Sequence, residues 1–224
     1  MGKCCGSAAP EDTAFGASQH RVIKVVIIGD SGVGKTTLLR RFIGFEFDRS
    51  VSSTVSCDFQ FLNVEVDDEV YKAQMWDTSG QERFNAITKS FYRNADAAVL
   101  VYSERKRSTF ERLRTVWLPQ LTEGSDKVKR VLIIGNQTDL LREGKEPINE
   151  YDMTQLCKDY KTMASHMSAK KDSTSHCQEV IDTFCQKVVK DKFGLGAFED
   201  SSSSSSSSSF RVVDLPYGHT DEDS

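Results

Sequence analysis

Gly29-Asp30-Ser31-Gly32-Val33-Gly34-Lys35-Thr36 carries the spacing G-x-x-x-x-G-K-[ST], which suits phosphate. Its glycines let the backbone curl so that successive N–H groups point inward at anionic oxygens. A helix starting near Gly34 adds its positive end. The Lys35 ammonium neutralises β- and γ-phosphates, and the Thr36 hydroxyl is a hard ligand for Mg²⁺. Gly29, Ser31, Gly32, Val33, Gly34, Lys35, Thr36 and Thr37 are the candidate phosphate-binding residues. A second segment, Trp76-Asp77-Thr78-Ser79-Gly80-Gln81-Glu82-Arg83-Phe84, follows an apolar run. An aspartate at a strand end, Asp77, can hold a Mg²⁺-bound water. Gly80 can offer its N–H to a γ-phosphate, and Gln81 can orient an attacking water.

These groups need a rigid frame, and the hydrophobic pattern supplies one. Val22, Ile23, Val25, Val26, Ile27 and Ile28 form a nearly continuous apolar run, as in a strand buried on both faces. Leu38, Leu39 and Phe42 after the glycines are spaced as a helix. Cys57 to Val66 and Val70 to Trp76 read as strands joined by a hairpin turn at Asp67-Asp68, so one edge pair is antiparallel. Ala97 to Tyr102 and Val131 to Gly135 read as further buried strands. Phe110, Leu113, Trp117 and Leu121 mark one helix face. Met153, Leu156, Cys157 and Tyr160 mark another. Cys177, Val180, Ile181, Phe184, Cys185 and Val188 line a last helix. Alternating strands and helices predict an α/β fold with a mostly parallel sheet covered on both faces.

A phosphate cradle alone is shared by kinases, ATPases and GTPases. The cradle together with Trp76 to Phe84 resembles the Ras superfamily of small GTPases, and its Rab branch most closely. Phe91-Tyr92-Arg93-Asn94-Ala95 and Leu100-Val101-Tyr102 also look like Rab-branch segments, and the resemblance spans roughly Arg21 to Phe193. It implies a six-stranded P-loop fold with one antiparallel edge strand. It also implies a Mg²⁺-dependent switch that hydrolyses GTP to GDP in vesicle or membrane traffic, slowly until an activating protein accelerates it. A guanine-nucleotide-binding scaffold with little hydrolysis is the alternative. A P-loop kinase or ATPase is disfavoured by Asp139 and by the lack of an Arg-rich lid-like segment.

The resemblance carries roles onto individual positions. Thr54 would ligate Mg²⁺ and sense the γ-phosphate, joining Thr36 and, through water, Asp77. Phe47 would pack edge-on against the guanine ring, or simply anchor its loop. Asn136-Gln137-Thr138-Asp139 resembles the base-recognition motif, usually Asn-Lys-x-Asp. The Asp139 carboxylate would accept from guanine's ring N–H and amine, a pattern adenine does not present. Asn136 would brace the cradle. Ser168-Ala169-Lys170 resembles the last motif: the Ala169 N–H would meet the guanine carbonyl and the Lys170 stem would cover one face of the base. Gln81 would be the catalytic residue. Exchange factors, activating proteins and effectors would read the switches near Thr54 and Gly80 to Phe84. Gln137 departs from the pattern, being shorter than lysine and uncharged. It predicts weaker nucleotide affinity and faster exchange. Ser56 and Ser79 replace a common Gly and a common Ala, and nothing in the sequence explains either.

Residues 1–20 read as a flexible arm and residues 194–224 as a disordered, Ser-rich acidic tail, leaving residues 21–193 as the GTPase domain. No cysteine follows Cys185, so C-terminal prenylation is not expected. Met1-Gly2-Lys3-Cys4-Cys5-Gly6-Ser7 instead offers Gly2 for myristoylation and Cys4 and Cys5 for palmitoylation, two signals that together anchor stably. Gly6 stands where that motif prefers Ser or Thr. No signal peptide is evident, so a cytoplasmic protein with reduced cysteines is expected. With the acylated arm it would be peripheral on a membrane's cytosolic face, and a monomer is expected.

The 224-residue chain has a formal net charge of -4 and 38% hydrophobic residues. A mild acidic excess argues against nucleic-acid binding. No run of 18 apolar residues suggests a membrane span. Residues 197–224 hold six acids and one base, so residues 1–196 carry +1. The acidic balance therefore belongs to the tail.

Overall fold

The apolar run after Arg21 forms β1, Val22–Ile28, with every residue from Val25 onward buried. The computed structural model describes residues 21–50, 58–78, 92–142, 144–158 and 160–195. The remaining strands are β2 (Asp58–Val66), β3 (Glu69–Asp77), β4 (Ala97–Ser103), β5 (Arg130–Asn136) and β6 (Lys161–His166). They form one sheet in the order β2-β3-β1-β4-β5-β6. Among the described residues only the β2–β3 pair is antiparallel. Asp67 and Asp68 both have positive φ, at 50° and 62°. Two such residues match the twist of a two-residue hairpin, and aspartate tolerates the conformation better than most residues.

The helices among the described residues are α1 (Lys35–Phe42), α2 (Ser108–Arg112), α3 (Leu118–Gly124), α4 (Glu150–Leu156) and α5 (Thr174–Phe193). Buried residues of α1 and α5 pack with alternate residues of β1 and β4 on one side of the sheet. α2, α3 and α4 contribute to a second buried cluster, with Val26, Ile28, Ala98 and Leu100 from the intervening positions. Strands sandwiched this way are apolar on both faces, and this is why β4 reads as a continuous buried run.

A π-helical turn, Leu113–Trp117, joins α2 to α3 and ends just before Pro119. Proline has no N–H to continue the i→i−4 ladder, and its ring crowds the carbonyl four residues back. A widened turn before it lets the helix run on. Phe110, Leu113, Trp117 and Leu121 are all buried, as their spacing predicts.

Two differences from the sequence reading are local. The helix expected through Tyr160 ends at Leu156, with Cys157 as its C-cap. The sixth strand falls on Lys-Thr-Met-Ala-Ser-His, where only Met163 and Ala164 are apolar. Its place beside β5, not its own pattern, makes it a strand. α5 is closed at both ends: the Ser173 hydroxyl accepts the His176 N–H, and Gly194 adopts φ 68° at its C-cap. Among the described residues no helix is long and apolar enough to cross a membrane.

Candidate functional site

The cradle is the turn from β1 into α1. Gly29 is required by space: a Cβ there would lie 2.1 Å from the Val101 carbonyl oxygen of β4. Gly34 has φ +95°, and a Cβ would lie 2.4 Å from the Asn136 side-chain nitrogen. Between them Ser31 and Gly32 are exposed and Val33 is buried. Lys35 is 6% exposed, and its ammonium donates to the carbonyls of Gly29 at 2.9 Å and Asp30 at 3.0 Å. A charge with such a short, backbone-held reach sits where the curled turn would present phosphate. Thr37 is half-buried in the first turn of α1.

β3 pairs with β1 so that Asp77 stands opposite Ile27, just before the cradle. The Thr36 hydroxyl donates to Asp77 Oδ2 at 2.6 Å. The carboxylate is buried, and the neighbouring Thr78 hydroxyl donates to the Ile27 carbonyl at 2.7 Å. A hydroxyl and a carboxylate converging beside a phosphate cradle are the hard oxygen donors that Mg²⁺ takes in few protein bonds, so this pair fits that ion.

The second end of the site comes from β5 and β6. Asn136, the last residue of β5, is 1% exposed. Its Nδ2 donates to the Val33 carbonyl at 2.8 Å, and its Oδ1 accepts the Ala169 N–H at 3.1 Å. Gln137 has φ 65° and starts the 3₁₀ turn Thr138–Leu140. Its Nε2 donates to the Gly32 carbonyl at 3.0 Å. Gln137 thus reaches the cradle despite being shorter than lysine. The Ser168 hydroxyl donates to Asp139 Oδ1 at 2.6 Å, and the Ser168 N–H donates to Asp172 Oδ2 at 2.8 Å. Lys170 is exposed beside buried Ala169. Asn136, Gln137, Asp139, Ser168 and Ala169 are therefore linked with Gly32 and Val33 of the cradle by four side-chain hydrogen bonds.

Phe47 is half-buried, on a segment tied down at both sides. Glu46 accepts from the Thr174 hydroxyl at 2.8 Å and from Arg41 at 2.9 Å, and these partners hold its carboxyl below the usual range. Asp48 accepts the Ser50 N–H and hydroxyl at 2.8 and 2.7 Å, which lower its pKa in that order. Arg41 is buried at the end of α1 and also donates to the Phe45 and Asp172 carbonyls, at 3.1 and 2.6 Å. One guanidinium therefore joins the Phe47 segment to the loop after β6. Sequence reading passed over it because an arginine among helix polar residues reads as a solvated face.

Two more groups escaped the sequence. Asp30 accepts from Arg112 Nε and Trp117 Nε1, both at 2.8 Å, which fixes the cradle against the π-helical turn. Glu104 is 8% exposed just past β4. It accepts from the Tyr102 hydroxyl at 2.5 Å and the Ile148 N–H at 3.3 Å, and pairs with His166 Nδ1 at 2.8 Å. Burial and then the adjacent carboxylate push the Tyr102 phenol pKa upward, so it stays a donor. The sign in the sequence was a glycine: a Cβ on Gly135 would meet Glu104 Oε1 at 2.2 Å.

Thr54, Gly80, Gln81 and Phe84 lie outside the described residues, as do Ser56, Ser79 and Arg83. So do Gly2, Cys4 and Cys5.

Residues 24–190 match the sequence profile of the Ras family. The chain is 49% identical over 119 residues to the Ras-related protein RABA1c of Arabidopsis thaliana, covering 53% of this chain and 55% of that one. It is 43% identical over 129 residues to the Ras-related protein Rab11A of Lotus japonicus, covering 58% and 57%. With the GTP-binding protein ypt3 of Schizosaccharomyces pombe it shares 45% over 120 residues, covering 54% and 56%. The chain spans about half the length of the curated relatives it matches.

Proposed function

The chain belongs to the Ras family, and we propose that it is a Rab-like switch that binds GTP and GDP, hydrolyses GTP, and acts in vesicle traffic. The observation that carries the reading is the Asn136 carboxamide, which joins the cradle at Val33 to the base segment at Ala169. A phosphate end and a base end held by one side chain suit a nucleotide. The names of relatives support the same reading, since they are Ras-related and GTP-binding proteins.

In this reading the cradle N–H groups and Lys35 bind the phosphates and spread the negative charge that develops during transfer. Thr36 and, through water, Asp77 would hold Mg²⁺ together with Thr54, and the ion supplies further neutralisation of the phosphate oxygens. Gln81 orients the attacking water, and Gly80 and Thr54 hold the switches while a γ-phosphate is present. At the other end Asp139 accepts from the guanine N–H groups, the Ala169 N–H meets the base carbonyl, and Phe47, Gln137 and Lys170 line the ring. Exchange factors, activating proteins and effectors would read the segments near Thr54 and Gly80 to Phe84.

The arm would anchor the protein to a membrane by acylation at Gly2, Cys4 and Cys5, with residues 21–193 as the switch domain and residues 194–224 as a tail. Intact-mass measurement of native protein tests the anchor; an unmodified Gly2 removes it. The scaffold alternative would bind guanine nucleotide but barely turn it over. The deciding experiment identifies the nucleotide on purified protein and follows one turnover of GTP. Guanine nucleotide is expected, with hydrolysis lost and binding kept in Gln81→Leu. Adenine nucleotide, or wild-type turnover in that variant, would refute it.

A further inference from the structure

Gln137 stands where a base-motif lysine is usual, and the structure surrounds it with a specific compensation. Ser103 is the last residue of β4 and faces Asn136 across the β4–β5 pair. It is 5% exposed. Its N–H donates to the Thr109 hydroxyl at 2.9 Å, and the Glu104 N–H donates to the Asn136 carbonyl at 2.8 Å, so its backbone is fixed on both sides. From that position the Ser103 hydroxyl donates to Gln137 Oε1 at 2.5 Å. Gln137 Nε2 then donates to the Gly32 carbonyl at 3.0 Å.

The direction of this relay is chemically determined. The Gly32 carbonyl can only accept, so the amide nitrogen must face the cradle. The amide oxygen then faces β4, where the buried donor is Ser103. Gln137 also holds φ 65°, a left-handed conformation that residues other than glycine adopt at a cost. Hydrogen bonds at both ends of its side chain offset that cost and keep the amide plane in one orientation. A lysine ammonium has no acceptor and would need no donor behind it; the glutamine amide oxygen needs one, and Ser103 supplies it.

We propose that Ser103 is a nucleotide-retention residue: by donating to Gln137 it locks the amide against the cradle and so slows release of bound guanine nucleotide. The inference rests on the guanine-nucleotide reading and adds to it a positioning residue outside the recognised motifs. Because the relay acts at the base side of the cradle, it slows release of GDP and of a non-hydrolysable GTP analogue alike.

The test measures dissociation of fluorescent GDP and of the fluorescent GTP analogue from the full chain, in wild type, Ser103→Ala, Gln137→Ala and the double variant. Ser103→Ala is expected to raise both rates about three- to tenfold, the range that one hydrogen bond's net worth implies, with the association rate unchanged. In the Gln137→Ala background the same change is expected to do almost nothing, because the partner is gone. Rates within about 1.5-fold of wild type in Ser103→Ala would overturn the proposal. So would an equal acceleration in both backgrounds, which is the mark of general loosening, or an effect on one nucleotide only. A wild-type protein that binds no guanine nucleotide would instead refute the function itself, before any variant is compared.

Discussion

The Asn136 side chain donates to the Val33 carbonyl at 2.8 Å, closing a contact across 103 residues of chain. The same carboxamide accepts the Ala169 N–H at 3.1 Å, so a phosphate-side turn and a base-side loop share one buried amide. Removing it leaves two buried backbone groups unpaired. At about 1–3 kcal/mol for each such group, Asn136→Ala should weaken GDP binding by at least tenfold. Equilibrium titration checks this, and affinity within a factor of two of wild type would contradict it.

The strands and the cradle were legible because their signals are local. β1 and β4 are apolar runs, and the cradle is a fixed spacing of glycines ahead of Lys35. β6 was not, because its burial is set by β5 and not by its own composition. Ser103 and Glu104 were invisible for a related reason. Polar residues at a strand end read as the start of a turn, and only the pairing of β4 with β5 and of β5 with β6 brings them to Asn136 and His166. Asp30 and Arg41 act through partners 82 to 131 residues away, which no window along the chain contains.

Gly135 makes room for the buried Glu104 cluster. A methyl group there would lie 2.2 Å from Glu104 Oε1 and 2.5 Å from the Tyr102 hydroxyl. Neither neighbour can retreat without abandoning a buried hydrogen bond. Gly135→Ala should therefore cost about 2 kcal/mol or more, seen as a thermal midpoint lowered by roughly 5 °C. A midpoint within 1 °C or so of wild type, on the scale where such losses register, would show that the cluster adapts.

Asp191 of α5 joins β5 and β6 by accepting from Arg130 at 2.9 Å and Lys161 at 2.8 Å. Partial burial works to raise its pKa, but the Arg130 and Lys161 hydrogen bonds and charges outweigh this and lower it. A carboxyl depressed in the folded state stabilises fully above its unfolded pKa and loses that stabilisation as pH falls through its folded one. The gap in denaturant midpoint between wild type and Asp191→Asn should thus be widest near neutrality. It should narrow below about pH 4, the ordinary aspartate value. A gap constant with pH would mean that the pair does not shift the carboxyl.

Gln137→Lys restores an ammonium beside the Gly32 carbonyl, which Gln137 now reaches through a neutral amide at 3.0 Å. A charged donor strengthens that bond roughly twofold. Release of fluorescent GDP should slow several-fold in the variant. An unchanged rate would mean that the glutamine, with Ser103 behind it, already does what the lysine would.

Asp139 is oriented by the Ser168 hydroxyl, which donates to its Oδ1 at 2.6 Å. In the proposed role its carboxylate accepts two guanine N–H groups, so it can only favour a base that donates there. Asp139→Asn exchanges one acceptor for a donor and removes the charge. Each lost charged hydrogen bond is worth about 1.5–3 kcal/mol, so guanine nucleotide affinity should fall a hundredfold or more. Xanthine carries a carbonyl where guanine carries its amine, and the new amide can donate to it. The variant should accordingly gain affinity for xanthosine diphosphate while losing it for GDP, a reciprocal change that unfolding cannot mimic. Competition between the two diphosphates for the purified variant measures it, and parallel loss of both would place Asp139 in the frame of the loop and not against the base.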